Sequence, residues 1–424
     1  MDKNDSRYQL YINILEEELV PAMGCTEPIC LAYAAAKARQ VLGEMPDRVE
    51  VLASGNIIKN VKSVIVPNTN GMKGIKAAAA VGIIAGNPDK ALEVIANVTP
   101  KQKAETERFL ASTPISVKHI FCQEQLDVTI IVYKNEHHAD VRISGFHTNI
   151  VHIQKDNEVL FQSETISKPT KKLTDRSCLS VAGIVDFADS VDIQDIKEII
   201  GRQIQYNKAI SDEGLKNSWG ANIGSTLLKY YGDDIKVKAK ARAAAGSDAR
   251  MNGCELPVII NSGSGNQGLT VSMPVISYAE EYNISEDRLY RALVVSNLTA
   301  IHQKTRIGRL SAYCGAVSAG CAAACGIAYL LGESLDVIEH TLTNAVVTVS
   351  GIICDGAKAS CAAKIAASVD AGILGYYMYK NGKQFEAGDG IVGSDIEDTI
   401  NNVGLVGSIG MKETDTEIID IMTK

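Results

Sequence analysis

The sequence predicts an α+β protein: an N-terminal α/β lobe with a mainly antiparallel sheet, followed by an all-helical C-terminal domain. Two observations carry this prediction. Alternating β-branched runs with strand periodicity occur between residues 47 and 165, and no useful strand alternation follows residue 262. Beyond about residue 176 the chain consists of long Ala-rich segments with Gly, Asn and Asp at their ends, which is typical of helices.

The first lobe is predicted to begin with two helices, at residues 8–19 and 27–43, separated by the loop VPAMGCT. Helices are also expected at 72–86 and 88–111, among six strands: RVEVLAS, KSVIV, ISVKHIF, LDVTIIVY, ADVRIS and NIVHIQ. The polar run SETISKPTKKLTD is typical of a linker and predicts a lobe at 1–168 and a helical domain at 169–424.

Composition and charge exclude several classes of function. The 424 residues suit two or three domains, and the 46 % of apolar residues are enough for a sizeable core. A formal net charge of −8 gives no electrostatic basis for binding nucleic acid or anionic membranes. We therefore expect a small-molecule substrate, no nucleic-acid partner and no membrane partner, and a homodimer is compatible with the sequence.

The segment from Leu310 to Gly332 carries no charge and is long enough to span a bilayer. It consists mostly of Ala, Gly, Ser and Cys, which partition weakly into hydrocarbon, so a helix buried in the core is the better interpretation. The N-terminus lacks the apolar stretch of a secretory signal, and a cytoplasmic protein is expected. Its ten cysteines are then not a disulfide framework, and most should be buried.

Cys25 is the first candidate for chemistry. Thr26 suits a helix N-cap, and Glu27 and Pro28 suit the first turn, so Cys25 should lie at the positive end of a helix dipole. A thiol there ionises more easily and is suited to act as a base, nucleophile or metal ligand. A loop cysteine that only packs is the competing interpretation.

The second candidate is a set of cysteines in the helical domain. Cys314 lies in SAYCGAVSAG, and Cys354 and Cys361 lie in GIICDGAKASC. Three thiolates on two loops can hold an iron–sulfur cluster and leave one iron free as a Lewis acid. The spacing matches neither a ferredoxin run nor a zinc ribbon, so zinc or no metal stays open. Cys321 and Cys325, inside the small-residue helix, are assigned to the core.

Two segments could bind an anion. The run NSGSGNQG at 261–268 precedes a helical pattern, and exposed backbone N–H groups there suit a carboxylate or a phosphate. A flexible turn between helices is the alternative. SDARM, which contains Arg250, closes an Ala-rich helix and is a related candidate.

Cationic side chains precede Cys314. His302, Lys304, Arg306 and Arg309 could neutralise a substrate carboxylate or a cluster, or form a solvated basic helix end. His147, in GFHT at the end of a strand, could be a general acid or base, or a hydrogen-bonded turn histidine.

Taken in order, the motifs PAMGCTEP, GFHT, AAAGSDARM, NSGSGNQG, GRLSAYCG, GIICDGAKASC and GDGIVG resemble the L-cysteine desulfidase family, relatives of the iron–sulfur L-serine dehydratases. The resemblance covers essentially the whole chain. It implies an α/β lobe, a helical lobe with a [4Fe–4S] cluster, no pyridoxal phosphate, and conversion of L-cysteine to pyruvate, ammonia and sulfide.

The resemblance also implies roles for individual residues. Cys314, Cys354 and Cys361 match the cluster ligands, and Cys25 matches a required cysteine that is either the catalytic base or a cluster-side ligand. We expect His147 and Lys304 to act with Cys25 in catalysis. The candidate substrate-binding residues are Thr26, Glu27, Asn261, Ser262, Ser264, Asn266 and Arg306. Cys25-Thr-Glu stands where the related dehydratases have a Ser/His loop, which favours cysteine as substrate.

Three other functions remain open. Dehydration of L-serine by the same cluster is the nearest alternative. A pyridoxal-phosphate β-eliminase would use SGSGNQG as its phosphate loop and one of Lys236, Lys238 and Lys240, although none has the Ser-x-Lys context of that class. A non-catalytic iron–sulfur redox sensor is the third. For any enzyme, we expect the site in the cleft between the lobes, with Cys25 near Cys354.

Overall fold

The computed structural model describes residues 1, 3–122, 124–163 and 173–423. It confirms the α+β class, with a sheet in the first lobe and a helical second lobe. The boundary at residue 168 lies outside the described residues, so the domain limits stay a prediction. The strands are β1 (Pro21–Met23), β2 (Arg48–Ser54), β3 (Ile115–Ile120), β4 (Asp127–Lys134), β5 (His137–Ser144), β6 (Ile150–Lys155), β7 (Glu158–Gln162) and β8 (Pro257–Ile259).

The helices divide between the two lobes. Those of the first lobe are α1 (Ser6–Glu18), α2 (Thr26–Leu42), α3 (Gly55–Val61), α4 (Gly74–Ala85) and α5 (Pro100–Ser112). Those that follow are α6 (Val181–Ser190), α7 (Ile193–Lys216), α8 (Ile223–Tyr231), α9 (Ile235–Met251), α10 (Gly265–Glu281), α11 (Glu286–Ile307), α12 (Gly315–Leu330), α13 (Leu335–Val349), α14 (Cys361–Lys380), α15 (Ile396–Leu405) and α16 (Lys412–Thr423).

The main sheet has the strand order β3-β2-β4-β5-β6-β7. β2 and β3 are parallel, and the other four pairs are antiparallel, which confirms a mainly antiparallel sheet. Along β2, Val49, Val51 and Ala53 are fully buried and alternate with more exposed residues, as expected for a strand with one covered face. α2 packs across β4 and β5 on that side.

Two of the predicted elements are wrong. KSVIV forms no strand beyond an isolated bridge between Ile65 and Lys73, because Pro67 follows it and Asn68 then turns the chain with a φ of 59°. The helix predicted at 88–111 is a 3₁₀-helix (Pro88–Glu93) followed by α5. Thr99 caps α5 in a reciprocal capping box, so a new helix begins there.

α12 is the centre of the helical lobe. All of its residues from Ala316 to Leu330 are buried, and it packs against α10, α11, α13 and α14. Cys321 and Cys325 lie in its core, as predicted. Gly320 allows the close approach to α14, where a Cβ atom would lie 2.5 Å from the backbone carbon of Ser368. No helix in the described ranges is long and apolar enough to cross a membrane.

A short two-stranded sheet joins the lobes. β1 pairs antiparallel with β8, with Ala22 opposite Val258. β1 leads directly into the Cys25 loop, and β8 leads into the loop that begins at Asn261. The pairing therefore places these two loops, which are more than 230 residues apart in sequence, side by side.

Candidate active site

One cavity of about 90 Å³ is lined by residues of both lobes. Cys25 and Cys354 both line it, as expected for a site in the cleft between the lobes. Cavities that hold drug-sized ligands typically measure about 300–1,000 Å³. The volume therefore suits a much smaller molecule.

Four helices begin at this cavity. Cys25, Ser264 and Cys314 precede the first residues of α2, α10 and α12, and Cys361 is the first residue of α14; all four line the cavity. None of the four N-cap residues makes a side-chain capping hydrogen bond. The positive ends of four helix dipoles are thus gathered at one place, which favours the binding of anions.

The three cysteines predicted as cluster ligands line the same cavity. Two backbone hydrogen bonds hold their loops together: Cys314 N–H donates to Ile352 O at 3.1 Å, and Cys354 N–H donates to Ala312 O at 2.6 Å. Cys361 enters from the first turn of α14. Burial and the neighbouring thiols of Cys354 and Cys361 raise the pKa of Cys314 to about 12. Their role as ligands stays a prediction.

The chemistry of this donor set fits an iron–sulfur cluster better than zinc. Within the part of the chain that is described, no group of three or more His, Cys, Asp or Glu side chains could hold a metal ion. Zinc would need its sulfur ligands within about 3.8 Å of one another. A cluster takes one thiolate per iron, so its ligands stand further apart around a common cavity.

Cys25 is a buried thiol that is paired with a carboxylate. Its Sγ donates to Glu27 Oε2 at 2.9 Å, and Asn60 Nδ2 donates to Glu27 Oε1 at 3.0 Å. Burial raises the pKa of Cys25 well above its ordinary value, and the charge of Glu27 raises it further. The expectation that the start of α2 makes this thiol easier to ionise is therefore wrong, because burial and the carboxylate outweigh the helix dipole.

Glu27 itself is held as an anion. Burial raises the pKa of Glu27, but His147 and the hydrogen bond from Cys25 lower it to about 2. His147 Nε2 lies 3.9 Å from Glu27 Oε1, which is too far for a hydrogen bond. His147 does not line the inner cavity; it lines a second, outer cavity of about 490 Å³.

The loop at 261–268 divides into a supporting part and a part that lines the cavity. Asn261 donates to Asn297 Oδ1 at 3.0 Å, and Ser262 Oγ donates to Asn261 Oδ1 at 2.9 Å. Thr26 Oγ1 donates to the carbonyl of Gly263 at 2.9 Å. Thr26, Asn261 and Ser262 thus fix the shape of the loop and do not line the cavity. Of the substrate-binding residues predicted in this loop, Ser264 and Asn266 reach the cavity.

The cationic residues before Cys314 take separate positions. Lys304 is buried and lines the cavity, where burial lowers the pKa of its amine to about 8. Arg306 is exposed and does not line the cavity, since two residues along a helix turn it by about 200°. His302 is also turned away, with Nε2 at 2.6 Å from Glu397 Oε2.

Comparison with known proteins identifies the family. Residues 89–420 match the family model described as serine dehydratase alpha chain. The chain belongs to this family. It is also 58 % identical over 422 residues to a UPF0597 protein of Desulfitobacterium hafniense (100 % of this chain, 98 % of the relative). A UPF0597 protein of Lachnoclostridium phytofermentans is 53 % identical over 415 residues (98 % and 99 %).

The serine dehydratase alpha chain family relates the chain to iron–sulfur lyases and confirms the resemblance seen in the motifs. The matched region contains His147, the loop at 261–268 and the three cavity thiols, but it does not contain Cys25. Lys236, Lys238 and Lys240, which a pyridoxal-phosphate mechanism would require, pair with Asp or Glu side chains on α9 or its neighbours. None of these three lysines lines the cavity.

The cavity is also lined by Arg250 and Arg309, which the sequence indicates as cationic candidates, by Gln267 of the loop at 261–268, and by Asn60, which was not predicted. Arg250, Gln267 and Arg309 lie within or beside motifs that the sequence indicates as functional, so their presence at the site could be anticipated from those motifs. No sequence motif indicated Asn60, because α3 was not predicted and the contact of Asn60 with Glu27 depends on the tertiary fold.

Proposed function

We propose that the chain is an iron–sulfur L-cysteine desulfidase, which converts L-cysteine to pyruvate, ammonia and hydrogen sulfide by α,β-elimination. The observation that carries this proposal is the cavity in which Cys314, Cys354 and Cys361 face Cys25 and Lys304. It combines soft sulfur donors, a buried amine and four helix N-termini without side-chain caps.

Cys314, Cys354 and Cys361 are the residues that would hold a [4Fe–4S] cluster here. When bound, a cluster with one open iron supplies a soft Lewis acid for the substrate sulfur. The helix N-termini around the cavity suit the negative charge of both a thiolate-bound cluster and a substrate carboxylate.

Lys304 is the best placed residue to accept the Cα proton. In the elimination the Cα–H and Cβ–S bonds break, a Cα–Cβ double bond forms, and the sulfur leaves as sulfide that takes up a proton. A pKa of about 8 leaves part of the Lys304 amine neutral near neutral pH, as a general base requires. The aminoacrylate product then tautomerises and reacts with one water to give pyruvate and ammonia.

Cys25 is less suited to abstract a proton, because its thiol is protonated and donates to Glu27. We therefore assign Cys25 as a fourth ligand that would hold the cluster only while substrate is absent and would step aside when substrate binds. A thiol that binds a metal loses its proton outright. Glu27, which already accepts the hydrogen of the Cys25 thiol, is the group placed to take up that proton.

Dehydration of L-serine is the second candidate, favoured by the description of the matching family model. The same residues would act, and the Cβ–O bond would break with loss of water. The presence of a fourth thiol, Cys25, in the cavity supports the sulfur substrate over the hydroxyl substrate, since soft metal sites prefer sulfur.

The test is anaerobic turnover after reconstitution with iron and sulfide. Pyruvate and sulfide would be measured with L-cysteine and with L-serine under the same conditions. We expect kcat/KM to be higher for L-cysteine. A higher value for L-serine would establish the dehydratase instead, and no pyruvate from either substrate by a protein with a full cluster would reject both functions.

A further inference from the structure

Arg250 is a buried cation that no carboxylate compensates in the described part of the chain. Only 2 % of the residue is exposed, and it lines the inner cavity. Its guanidinium makes one hydrogen bond there, from Nη1 to Asn266 Oδ1 at 3.1 Å, and its Nε has no partner. Burying a charge without a counter-ion is costly, so this arrangement points to an anion supplied by a ligand.

The nearby acidic groups are engaged elsewhere. Glu27 accepts hydrogen bonds from Cys25 and Asn60. Asp248, two residues before Arg250 on α9, accepts from the backbone N–H of Gly224 at 3.0 Å. Neither carboxylate forms an ion pair with the guanidinium.

Other cations at the cavity differ from Arg250 in this respect. Arg309 Nη2 donates to Glu18 Oε1 at 2.7 Å, and its guanidinium lies 4.5 Å from the centre of the Phe146 ring. Lys304 offers a compact ammonium without the planar fork that matches a carboxylate. The unused donors of Arg250 are therefore the ones suited to a bidentate contact with a carboxylate.

The start of α10 supports the same position. Ser264, Asn266 and Gln267 line the cavity beside Arg250. Gly265 makes room for the guanidinium, because a Cβ atom there would lie 2.3 Å from Arg250 Nε. The backbone N–H groups of this first helical turn face the same anion that the guanidinium would bind.

We propose that Arg250 binds the α-carboxylate of the amino-acid substrate, with Asn266 holding the guanidinium in place. This inference rests on the proposed function for the identity of the ligand. It makes Arg250 the residue that restricts the site to amino acids with a free carboxylate and places that group at the start of α10.

The experiment compares L-cysteine with L-cysteinamide, which lacks the carboxylate, in the reconstituted holoenzyme. We expect the wild type to favour L-cysteine by about 100-fold or more in kcat/KM, and Arg250→Gln to lose most of this preference through a higher KM for L-cysteine. Arg250→Lys should recover only part of it. Arg242→Gln, on the same helix but paired with Glu280 at the surface, is the matched control and should behave as the wild type.

Calorimetric binding of L-alanine, which has no leaving group, tests the inference without turnover. Binding to the wild type and to Arg242→Gln but not to Arg250→Gln supports it, even if neither L-cysteine nor L-serine is converted and the proposed function fails. If L-alanine binds Arg250→Gln as well as it binds the wild type, the inference is overturned. It is also overturned if Arg250→Gln loses iron but keeps the preference for L-cysteine, because Arg250 would then be a partner of the cluster. Should Arg250→Gln fail to fold, Gly265→Ala, which displaces the guanidinium, is expected to give the same loss of binding.

Discussion

The Sγ atom of Cys25 lies 2.9 Å from Glu27 Oε2 and donates its hydrogen to that carboxylate, although the start of α2 would favour a thiolate. Both side chains are buried, and Glu27 is held as an anion by His147 and Cys25. The cysteine is therefore a neutral thiol whose proton already faces an acceptor. Cys25 and Lys304 therefore differ in how easily they lose a proton: the thiol of Cys25 stays protonated, while burial makes the amine of Lys304 easier to deprotonate.

The first prediction concerns Cys25→Ser. If Cys25 helps to hold the cluster, the visible spectrum of the anaerobic holoenzyme should change before any substrate is added, while iron remains bound through the other three thiols. Exchange of the substrate α-hydrogen with solvent should persist, because Lys304 is retained. Cys30→Ser, one turn further along α2 and buried in the core, is the control and should leave the spectrum unchanged. An unchanged spectrum with loss of exchange in Cys25→Ser would make Cys25 the base.

The second prediction concerns the three cavity thiols. Replacing Cys314, Cys354 or Cys361 by Ser should each abolish iron binding together with turnover, because Cys25 is a displaceable ligand and only two permanent protein ligands would remain. Cys321→Ser is the matched control: it lies on α12 with Cys314 but is buried among helices away from the cavity. Iron content after reconstitution is the measurement. Full iron content in any one of the three variants would remove that cysteine from the ligand set.

The third prediction is the pH dependence set by Lys304. Burial lowers the pKa of this amine to about 8, so it is mainly charged below that pH and mainly neutral above it. A base must be neutral, so kcat should rise with pH through a midpoint near 8. Lys304→Met should lower kcat by about 10²- to 10⁴-fold and remove solvent exchange of the α-hydrogen. A rise near pH 8 that persists in Lys304→Met would have to come from another group.

The sequence was most informative where one segment contains its own signal. Local periodicity predicts the helix at 27–43 and the strand RVEVLAS, and the structure contains both. The residues of NSGSGNQG predict the start of a helix, and α10 begins there. The gathering of Cys25 with Cys314 and Cys354 could be expected from the resemblance but not from spacing. It depends on long-range contacts: the pairing of β1 with β8, and the backbone hydrogen bonds that join the Cys314 and Cys354 loops.

Residues whose role depends on orientation were not predictable in the same way. Arg306 and Arg309 belong to the same cationic segment before Cys314. Arg306 is turned outward at the end of α11, while Arg309 lies beyond the helix and reaches the cavity. The pKa of Cys25 depends on complete burial and on a carboxylate two residues away, and a helix-end argument includes neither.

The fourth prediction concerns the attachment of the C-terminal helix. α16 packs on α3, where Lys59 is 1 % exposed and its Nζ contacts Asp415, which also accepts from Asn56 Nδ2 at 2.8 Å. Asp415→Asn leaves a buried ammonium without its counter-ion and should lower the free energy of unfolding by about 3–5 kcal/mol. The double variant Lys59→Met, Asp415→Asn should be more stable than Asp415→Asn alone. Thermal or denaturant unfolding measures both, and an Asp415→Asn variant as stable as the wild type would contradict the prediction.

The last prediction concerns the small-residue contact between α12 and α14. Alanine has a higher helix propensity than glycine by about 1 kcal/mol, so Gly320→Ala would be stabilising if space allowed. A Cβ atom at 320 would instead lie 2.5 Å from the backbone carbon of Ser368, and Gly372 makes the reciprocal approach to the carbonyl of Gly320. Because these neighbours are backbone atoms of packed helices, α14 must shift, and overpacking of this kind costs about 1–3 kcal/mol.

We therefore expect Gly320→Ala to lower the unfolding midpoint and to reduce iron retention, since α12 and α14 begin at Cys314 and Cys361. Gly351→Ala is the control, because a Cβ atom there meets no other atom within 4 Å. Its stability should remain within about 0.5 kcal/mol of the wild type. A Gly320→Ala variant that is more stable than the wild type would mean that the two helices can separate without cost, and that their spacing does not determine where the two thiols lie.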